Sequence, residues 1–407
     1  MSGRPWGVLF FAAIVTMPSA ASAGAFELRQ QSAAGEGSSF AGVGAGGSLS
    51  SMFWNPATLS DVQGLEVEAN AMGVFPIADV TVDPGLGFPG ADEGDIAPDA
   101  FVPASYGAYR LTDRLVFGVA ITSPFGLQTR YDSDSILAMN GVAGVSKLFT
   151  FNVNPAVSYQ VTDWLSVGVG LQAEYLNARL SRLGLGALGL SSAEGDDIAF
   201  GFTAGFKLRP APGTEIGVGY RSFIEHELDG KLKTTNAGAF DVNYDNVDMP
   251  DILTFGIRQQ LTDRFRLMAG GEWINWSRFD SVAVDGGPAP IALAFHYDDG
   301  WFFSLGGEYQ VSDSVTLRSG VGYEIAPIDD DVRSFRLPDN DGLWLSAGLS
   351  YRFDERLSLD LGYSLLLINS TRILAAGAGG PAGNGPFSGA VDTQVHFVAA
   401  AVTMRFD

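Results

Sequence analysis

The feature of this sequence that most restricts its fold is a strict alternation of apolar and polar residues. In residues 165–175, every second position is Leu, Val, Ala or Tyr, and the positions between them are Ser, Gly, Gln or Glu. A period of two places the two sets on opposite faces of a β-strand. Comparable runs recur between residues 101 and 407. The pattern predicts an all-β chain whose apolar face is covered either by a second sheet or by lipid.

The N-terminus favours lipid. Arg4 precedes an apolar run at residues 8–15, and residues 21–23 (Ala-Ser-Ala) form a small-residue cleavage site. This arrangement is typical of a secretory signal peptide, so we predict that residues 1–23 are removed and that the mature chain begins at Gly24. Beyond it, no stretch reaches the roughly 18 uninterrupted apolar residues of a membrane-spanning helix. If the exported chain lives in a membrane, it must be a closed barrel, because open sheet edges cannot face lipid.

Composition narrows the classes of function. The 407 residues include 52 Gly and no Cys, and 12% of them are aromatic. An exported protein of this size without cysteine does not rely on disulfides. The chain has 24 basic and 46 acidic residues, a net charge of −22, which argues against a nucleic-acid partner because phosphates require Lys and Arg. The chain has no cysteine and no His pair at metal-ligand spacing, so we expect neither a metal site nor a cofactor. Divalent-ion binding by acidic loops such as residues 92–95 and 329–331 stays open, although such charge runs are more often simply solvated.

The alternating runs predict fourteen strands, near residues 64–76, 101–112, 113–124, 146–161, 164–181, 197–209, 214–232, 250–261, 264–279, 297–311, 314–326, 342–353, 356–371 and 391–406. Six connections are short, as at residues 162–163, and seven are long and rich in Gly, Pro and Asp, as at residues 84–99. Short turns in the periplasm alternating with long external loops are typical of an outer-membrane barrel. We therefore predict a 14-stranded antiparallel transmembrane β-barrel over residues 64–407. A β-sandwich is the alternative, but it would mix loop lengths at both ends.

The two faces of the predicted barrel differ in chemistry. The lipid face carries apolar side chains such as Phe117, Phe200 and Leu361, with aromatic residues beside the short turns where a girdle belongs. The lumen face carries charges of both signs, which can pair with one another and hold a plug. The default role of each such charge is structural. Arg221 and Arg318 are the candidates for contact between the lumen and an anionic solute.

Residues 24–63 lack the period of two and are rich in Gly, Ser and Ala. Gly42, Gly44 and Gly47 match a dinucleotide-binding fingerprint by letter, but no strand-turn-helix context surrounds them. We predict instead a compact N-terminal hatch inside the lumen, whose glycines allow close packing of the backbone.

Several short segments resemble one known family. Residues 53–57 (Phe-Trp-Asn-Pro-Ala) are similar to the hatch motif of that family, and residues 123–126 (Ser-Pro-Phe-Gly) to its kinked third strand. Further similar segments are residues 154–159, 219–222, 272–279, 327–333, 337–341 and 344–346. On these segments the chain resembles the FadL-type outer-membrane transporters of long-chain fatty acids and other hydrophobic compounds. The resemblance covers essentially all of residues 24–407.

The resemblance implies a barrel in the outer membrane of a Gram-negative bacterium, in contact with lipid and lipopolysaccharide and without a cofactor. A hydrophobic small molecule would be captured at the external loops and would enter an apolar pocket above the hatch. The hatch would then rearrange, and the molecule would leave sideways through a gap in the barrel wall. We expect the protein to be a monomer.

Three groups of residues are the candidates for this pathway, and each has a structural alternative. The hatch element expected to shift during transport consists of Phe53, Trp54, Asn55, Pro56 and Ala57. The kink and lateral gap in the wall are assigned to Pro124, Phe125 and Gly126, since proline removes a ladder donor. The external capture surface is assigned to Leu183, Leu185, Leu188 and Leu190. The structural alternative for the hatch element is a simple connection between the N-terminal segment and the barrel. For residues 124–126 it is an ordinary strand end, and for the four leucines it is a short helix packed over the barrel mouth.

One departure from the family concerns the substrate. The resemblance implies a basic residue near the start of the tenth strand to meet a carboxylate, whereas residues 290–294 read Pro-Ile-Ala-Leu-Ala. The sequence therefore leaves neutral hydrocarbons and aromatic compounds open beside fatty acids.

Catalysis is not expected of this chain. His226 and His396 fall on predicted outward positions and His296 lies at a loop, so none shares a face with a serine and an orienting group. Two other functions stay open. One is a plugged or general porin for polar solutes, and the other is a structural or adhesive outer-membrane barrel.

Overall fold

A single antiparallel sheet contains all the strands and closes on itself. The computed structural model describes residues 24–85, 89–375 and 383–406, so the predicted signal peptide lies outside the described residues. The last strand pairs with the first in continuous register, from Leu65 with Phe406 to Val82 with Gly389. Closure pairs the two outermost strands of the sheet with each other, as strands that cross a lipid bilayer require.

Fourteen strands form the barrel, seven of them interrupted, and the predicted fold class is confirmed. They are β1 Leu65–Val82, β2 Ala91–Asp95 and Ala100–Arg110, β3 Leu115–Thr122 and Gly126–Arg130, β4 Val145–Gln160, β5 Leu165–Gly184, β6 Leu190–Ala211, β7 Thr214–Arg221 and Ile224–Thr234, β8 Gly238–Met249 and Ile252–Gln260, β9 Phe265–Ile274 and Ser281–Asp285, β10 Ile291–Ala294 and Gly300–Gln310, β11 Val315–Ile325, β12 Gly342–Arg352, β13 Leu357–Ile368 and Thr371–Ile373, and β14 Gly389–Phe406.

The helical elements are short. Helix α1, Ala33–Glu36, belongs to the N-terminal segment, and α2, Ile136–Met139, lies in the loop between β3 and β4. Three 3-10 turns, Val43–Ala45, Leu49–Phe53 and Pro56–Asp61, follow α1 before the barrel begins. Within the part of the chain that the structure describes, no helix is long and apolar enough to cross a membrane.

Several strands continue beyond their predicted ends, mostly on the side of the long loops. β1 reaches Val82 instead of residue 76, and β8 begins at Gly238 instead of residue 250. The predicted loop at residues 84–99 was wrong in part, because it contains the first segment of β2, which pairs with β1. The extension of β8 does alternate, with Phe240, Val242 and Tyr244 between polar residues. A bulge at residues 245–246 shifts this alternation by one position and separates it from the run that begins at residue 250.

The two faces are as predicted. Phe200, at 75% relative exposure, and Phe117 point away from the barrel, while Lys207 and Glu324 are fully buried in the lumen. The prediction that His226 points outward was wrong, because it is fully buried and its Nδ1 lies 2.9 Å from Asp197 Oδ2. The two-residue break in β7, between Arg221 and Ile224, shifts the alternation by one position and turns His226 inward.

Residues 24–63, hereafter the hatch, fill the lumen, and almost every residue among them is buried. Their backbone lies directly against inward-facing glycines of the wall. A Cβ atom added to Gly219 would fall 1.8 Å from the carbonyl oxygen of Trp54, and one added to Gly217 would fall 2.0 Å from that of Gly44. Gly320 has the same relation to the carbonyl oxygen of Ser38, at 2.1 Å. The glycines at these positions therefore allow the backbone of the hatch to contact the backbone of the wall.

Alanine in place of Gly219 should displace the hatch, because its Cβ cannot coexist with the Trp54 carbonyl. The expected result is a rise in ion conductance when the Gly219→Ala barrel is inserted in a planar lipid bilayer. Gly107→Ala is the matched control, since nothing lies within 4 Å of a Cβ at that position of β2. Equal conductance of the two variants would contradict this account of the wall.

Candidate functional site

Asn55 ties the hatch motif to the barrel wall. Its side-chain amide donates to the carbonyl oxygen of Gly44 at 2.7 Å and to that of Phe206 in β6 at 3.0 Å. Its side-chain oxygen accepts from the backbone N–H of Ala57 at 3.0 Å and so caps the turn that begins at Pro56. Pro at the first position of a helical turn sacrifices no hydrogen bond. The motif thus fixes both the internal shape of the hatch and its position on β6.

Phe53 and Trp54 are both buried, and Phe53 contacts Arg221. The guanidinium of Arg221 lies 4.4 Å from the centre of the Phe53 ring, and its Nη1 donates to the Phe53 carbonyl oxygen at 3.1 Å. A second bond joins Arg221 to Gln172 of β5. Arg221 therefore contacts the motif and the wall in this structure, and its contact with an anionic solute stays a prediction.

Arg318 belongs to a network of ion pairs between the strands. Its guanidinium lies 2.8 Å from Glu308 Oε1 and 3.1 Å from Asp360 Oδ1, while Arg258 bonds the second oxygen of Glu308 at 2.8 Å. Arg258 also donates to the carbonyl oxygen of Gly46 in the hatch at 3.1 Å. The arrangement supports a structural role, and solute binding by Arg318 stays a prediction.

The beginning of the hatch is held by a buried arginine among three carboxylates. Arg29 lies 2.8 Å from Glu27 Oε2, 3.1 Å from Glu324 Oε1 of β11, and in contact with Glu272 of β9. Burial raises the pKa of Glu27 to about 8, against the opposing effect of Arg29. Sequence reasoning missed this centre, although a charged pair in a segment otherwise built of small residues was a usable signal.

An external loop binds the first described residues. Asp339, in the loop between β11 and β12, accepts from the backbone N–H of Gly24 at 3.0 Å and of Ala25 at 2.8 Å. Burial raises the pKa of Asp339 well above its usual value. The start of the hatch is thus attached to the outer loops as well as to the wall.

The predicted kink is a break in β3 that the hatch covers. Residues 123–125 separate the two segments of β3, and the carbonyl oxygen of Pro124 accepts from Leu28 N at 2.7 Å. Gly126 N donates to the carbonyl oxygen of Phe26 at 2.9 Å. Thus backbone from the hatch replaces part of the missing wall pairing. The role of these residues in transport stays a prediction.

The ladder between β2 and β3 ends just before this break, on the side of the short turn that joins the two strands. In the described ladders, residues 105–110 of β2 pair with residues 116–121 of β3. Beyond the break, toward the external loops, β3 pairs only with β4 on its other side, and β2 pairs only with β1, among the described ladders. One bond from Arg130 N to the Ile96 carbonyl oxygen, at 2.8 Å, rejoins the two strands near the outer end. The wall therefore has an unpaired window between β2 and β3.

An aromatic pocket lies beside the window. The ring of Phe26 lies 4.4 Å from that of Trp276, 5.3 Å from that of Phe279 and 6.3 Å from that of Phe125, measured between centres. Next to this cluster is an apolar pocket with a free volume of about 100 Å³. Its lining includes Phe26, Leu127, Leu148, Leu228, Phe279, Phe295 and Tyr297. Phe26 and Phe125 thus bring the hatch, the wall break and the pocket into one cluster.

The four leucines of the predicted capture surface do not share one environment. Leu183 is fully buried and belongs to the apolar cluster around the pocket, whereas Leu185, Leu188 and Leu190 are half-exposed near the end of β5. A 3-10 turn, Gly186–Leu188, forms the tip of this loop. Part of the loop is therefore packed as in the structural alternative, and capture of a solute there stays a prediction.

The described residues give little support for metal binding or for catalysis by histidine. Among residues 24–85, 89–375 and 383–406, no group of three or more His, Asp or Glu side chains is arranged to hold a metal ion. His296 is exposed and faces Asp280, and the Nδ1 atom of His396 lies 2.9 Å from the hydroxyl of Tyr363. His226 lies near two carboxylates, Asp197 and Glu174, rather than beside a serine nucleophile.

Comparison with known sequences decides the family. A family model described as "Outer membrane protein transport protein (OMPP1/FadL/TodX)" matches residues 14–406. The chain belongs to this family. It is thus an outer-membrane transport protein of Gram-negative bacteria and not an enzyme. The resemblance read from the sequence motifs is confirmed.

Two curated relatives of the OMPP1/FadL/TodX family show the extent of the match. A long-chain fatty acid transport protein of Escherichia coli O6:H1 is 26% identical over 389 residues, covering 84% of this chain and 86% of the relative. Outer membrane protein P1 of Haemophilus influenzae is 26% identical over 411 residues, covering 88% of this chain and 89% of the relative.

Solved structures share the fold. A FadL homologue from Pseudomonas aeruginosa superposes with a TM-score of 0.83 at 21% identity, over 94% of this chain and all of the homologue. The Pseudomonas putida toluene transporter TodX gives a TM-score of 0.71 at 19% identity, again over 94% of this chain and all of that protein. At these identities the likeness establishes the common barrel and leaves the substrate open.

Glu36 of α1 is a buried acid within the hatch. It is fully buried, and neither of its carboxyl oxygens has a hydrogen-bond partner among the described residues. Burial raises the pKa of Glu36 from 4.5 to about 8. The folded hatch therefore keeps a proton that the unfolded segment releases, so hatch stability should fall as pH rises from about 4.5 to about 8.

Replacing Glu36 by glutamine should remove this pH dependence, because the amide keeps the shape and cannot ionise. Amides of α1 in Glu36→Gln should be better protected from hydrogen exchange than in the wild type near pH 9, and equally protected near pH 5, after correction for intrinsic rates. Glu355→Gln, in an exposed turn, is the control. A wild-type hatch whose protection does not change across this pH range would refute the assignment.

Proposed function

We propose that this barrel takes up hydrophobic compounds and releases them sideways into the membrane through the window between β2 and β3. The observation that carries the proposal is the aromatic cluster of Phe26, Phe125, Trp276 and Phe279, because it joins hatch, wall break and apolar pocket. A solute in the pocket lies next to residues 26–28, which cover part of the break.

Apolar burial provides the driving force. A hydrocarbon gains roughly 0.8 kcal/mol for each CH₂ group that leaves water, so an apolar pocket draws it from the polar cell surface. The rest of the lumen is unsuited to such a solute, since it is filled by the hatch and by ion pairs such as Arg258 with Glu308. Sideways exit therefore avoids a polar route and delivers the solute to lipid.

Movement of the hatch is required for passage. In this structure Leu28 N and the Phe26 carbonyl oxygen are bonded to the two sides of the break in β3. Solute in the pocket would compete with Phe26 for the same aromatic neighbours, which loosens residues 26–28 and uncovers the window. The motif at residues 53–57, anchored by Asn55, would adjust next, and the half-exposed leucines of the β5–β6 loop would supply the first contact outside.

Cells that carry the protein should accumulate a radiolabelled long-chain fatty acid, a radiolabelled aromatic hydrocarbon, or both, faster than cells lacking it. Accumulation of a small polar sugar should be the same in both, because the hatch fills the lumen. If neither apolar compound is taken up faster, the transport proposal fails. Faster entry of the sugar alone would instead identify a general porin.

A photoreactive fatty acid should mark the exit. With a diazirine at the end of its chain, the compound should label residues 100–104 and 122–127, which flank the window, more heavily than residues 301–305 of β10. The β10 segment is the control, since Trp301, Phe303 and Leu305 are more exposed to lipid than most residues beside the window but lie in a fully paired part of the wall. Labelling in proportion to lipid exposure alone would rule out the lateral route.

A further inference from the structure

Five basic residues face outward near the external ends of neighbouring strands. They are Arg130 of β3, Lys147 of β4, Arg179 of β5, and Lys231 and Lys233 of β7. We call these five residues the basic patch. The patch contains three of the four lysines in the whole chain. Such a concentration is notable because acidic residues outnumber basic residues by 46 to 24.

The register of the strands brings the basic patch together. Lys147 lies directly opposite Arg179. Glu194 of β6 continues the same row, opposite Arg179 on one side and Lys231 on the other. Arg130 lies one row farther from the membrane, on the strand that pairs with β4 on its other side. The basic side chains therefore belong to one continuous surface on β3 to β7.

The acids near the patch are concentrated on its β6, β7 and β8 side. The Oε1 atom of Glu194 is bonded to Lys233 Nζ at 2.5 Å, and Asp241 of β8 lies opposite Lys231. Asp196 and Asp229 lie opposite each other one row nearer the membrane, on β6 and β7. These four carboxylates therefore offset the two lysines of β7 rather than the cations on β3, β4 and β5.

The two arginines of the patch lack acidic partners. Neither Arg130 nor Arg179 forms an ion pair with any of the residues that the structure describes. Lys147 lies between them on β4, directly opposite Arg179, and like charges at opposite positions of two strands destabilise a sheet. An anion in contact with both side chains would relieve this repulsion. The β3 to β5 side of the patch therefore favours an anionic partner from outside the chain.

The depth of the patch indicates which anions can reach it. Trp164 lies at the periplasmic turn before β5, and Tyr175 lies farther along the same strand. The segment between them has the length that crosses the hydrocarbon, roughly 9–11 residues of a tilted strand. The rings of Tyr175 and Phe149 lie 5.9 Å apart between centres, as in an aromatic girdle at the external boundary. Lys147 Nζ is 5.9 Å from the centre of the Phe149 ring, so the patch begins at the level of the lipid head groups.

We propose that the basic patch is a binding site for the phosphate groups of lipopolysaccharide in the outer leaflet. The lipid A part of lipopolysaccharide carries phosphates on the sugars directly above its acyl chains, at the depth where the patch lies. Arginine binds a phosphate through two parallel N–H bonds, and lysine binds it as a point charge. A phosphate between Lys147 and Arg179 replaces their repulsion by two attractions, while the aromatic pair of Phe149 and Tyr175 contacts the acyl chains below.

Binding of lipid A to the full mature barrel in a neutral detergent, measured by native mass spectrometry, tests the proposal. Arg130→Gln combined with Arg179→Gln should weaken binding of bisphosphorylated lipid A by about tenfold to thirtyfold, because each cation beside an anionic head group contributes roughly fivefold in affinity. Lipid A without phosphates should bind the wild type and this variant alike, and more weakly than the bisphosphorylated form binds the wild type. Added salt should weaken binding of the phosphorylated form only.

The matched control is Arg114→Gln combined with Arg372→Gln, which removes the same charge from two exposed arginines outside the patch. Arg114 lies in a periplasmic turn, and Arg372 pairs with Asp83 at 2.6 Å. A heat-modifiable electrophoretic shift confirms that each variant is folded.

Three results would overturn the proposal. The first is wild-type affinity of the patch variant for bisphosphorylated lipid A, and the second is an equal loss in the control variant. The third is equal binding of the wild type to lipid A with and without phosphates. Phosphatidylglycerol separates lipopolysaccharide from other phosphate-bearing lipids, since an affinity as high as that for lipid A would contradict the assignment to lipopolysaccharide.

Discussion

The pairing of the first strand with the last is the constraint on which the rest of this structure depends. A backbone in hydrocarbon must satisfy its N–H and C=O groups internally, at a cost of several kcal/mol for each one left unpaired. Eighteen-residue strands β1 and β14 meet that condition along their whole length. Closure also creates an interior, which the hatch occupies, and the window between β2 and β3 is a gap in the pairing of the wall around it.

The interior is occupied by a segment that fits by backbone rather than by side chain. Gly217, Gly219 and Gly320 let hatch carbonyl groups approach the wall to distances that any Cβ would forbid. Side chains then fix the position: Asn55 at β6, Arg29 among the acids of the hatch, β9 and β11, and Asp339 from above. Polar contacts of this kind can be exchanged for other polar contacts at modest net cost, which is compatible with the hatch movement proposed above.

Much of the fold could be predicted from the sequence, since fourteen alternating runs and the rhythm of short turns and long loops follow from residue types alone. The hatch could be assigned by its lack of alternation and by the Asn55-Pro56 motif. The outer parts of some strands were missed, because a bulge such as the one at residues 245–246 of β8 shifts the alternation and makes one strand read as two shorter patterns. His226 was misplaced for a related reason, since one shift of register inside β7 is invisible in hydropathy.

The site was less accessible to sequence reasoning. Its kink residues were found because Pro and Gly have local backbone consequences that can be read in isolation. Phe26, Trp276 and Leu228 were not found, because they lie in three separate parts of the chain, and only the closed barrel brings them to one pocket. Pairwise proximity across such separations is a property of the folded topology and not of any short pattern.

The order of elements along the chain has a consequence for assembly. The hatch is made first, it leads directly into β1 through residues 62–64, and its turns are in contact with strands all around the barrel. Because β1 pairs with β14, the last strand of the chain, the barrel can close only after the whole chain has been made. We therefore expect the hatch to lie among the strands before β1 and β14 pair, because its backbone contacts wall glycines on several sides of the lumen.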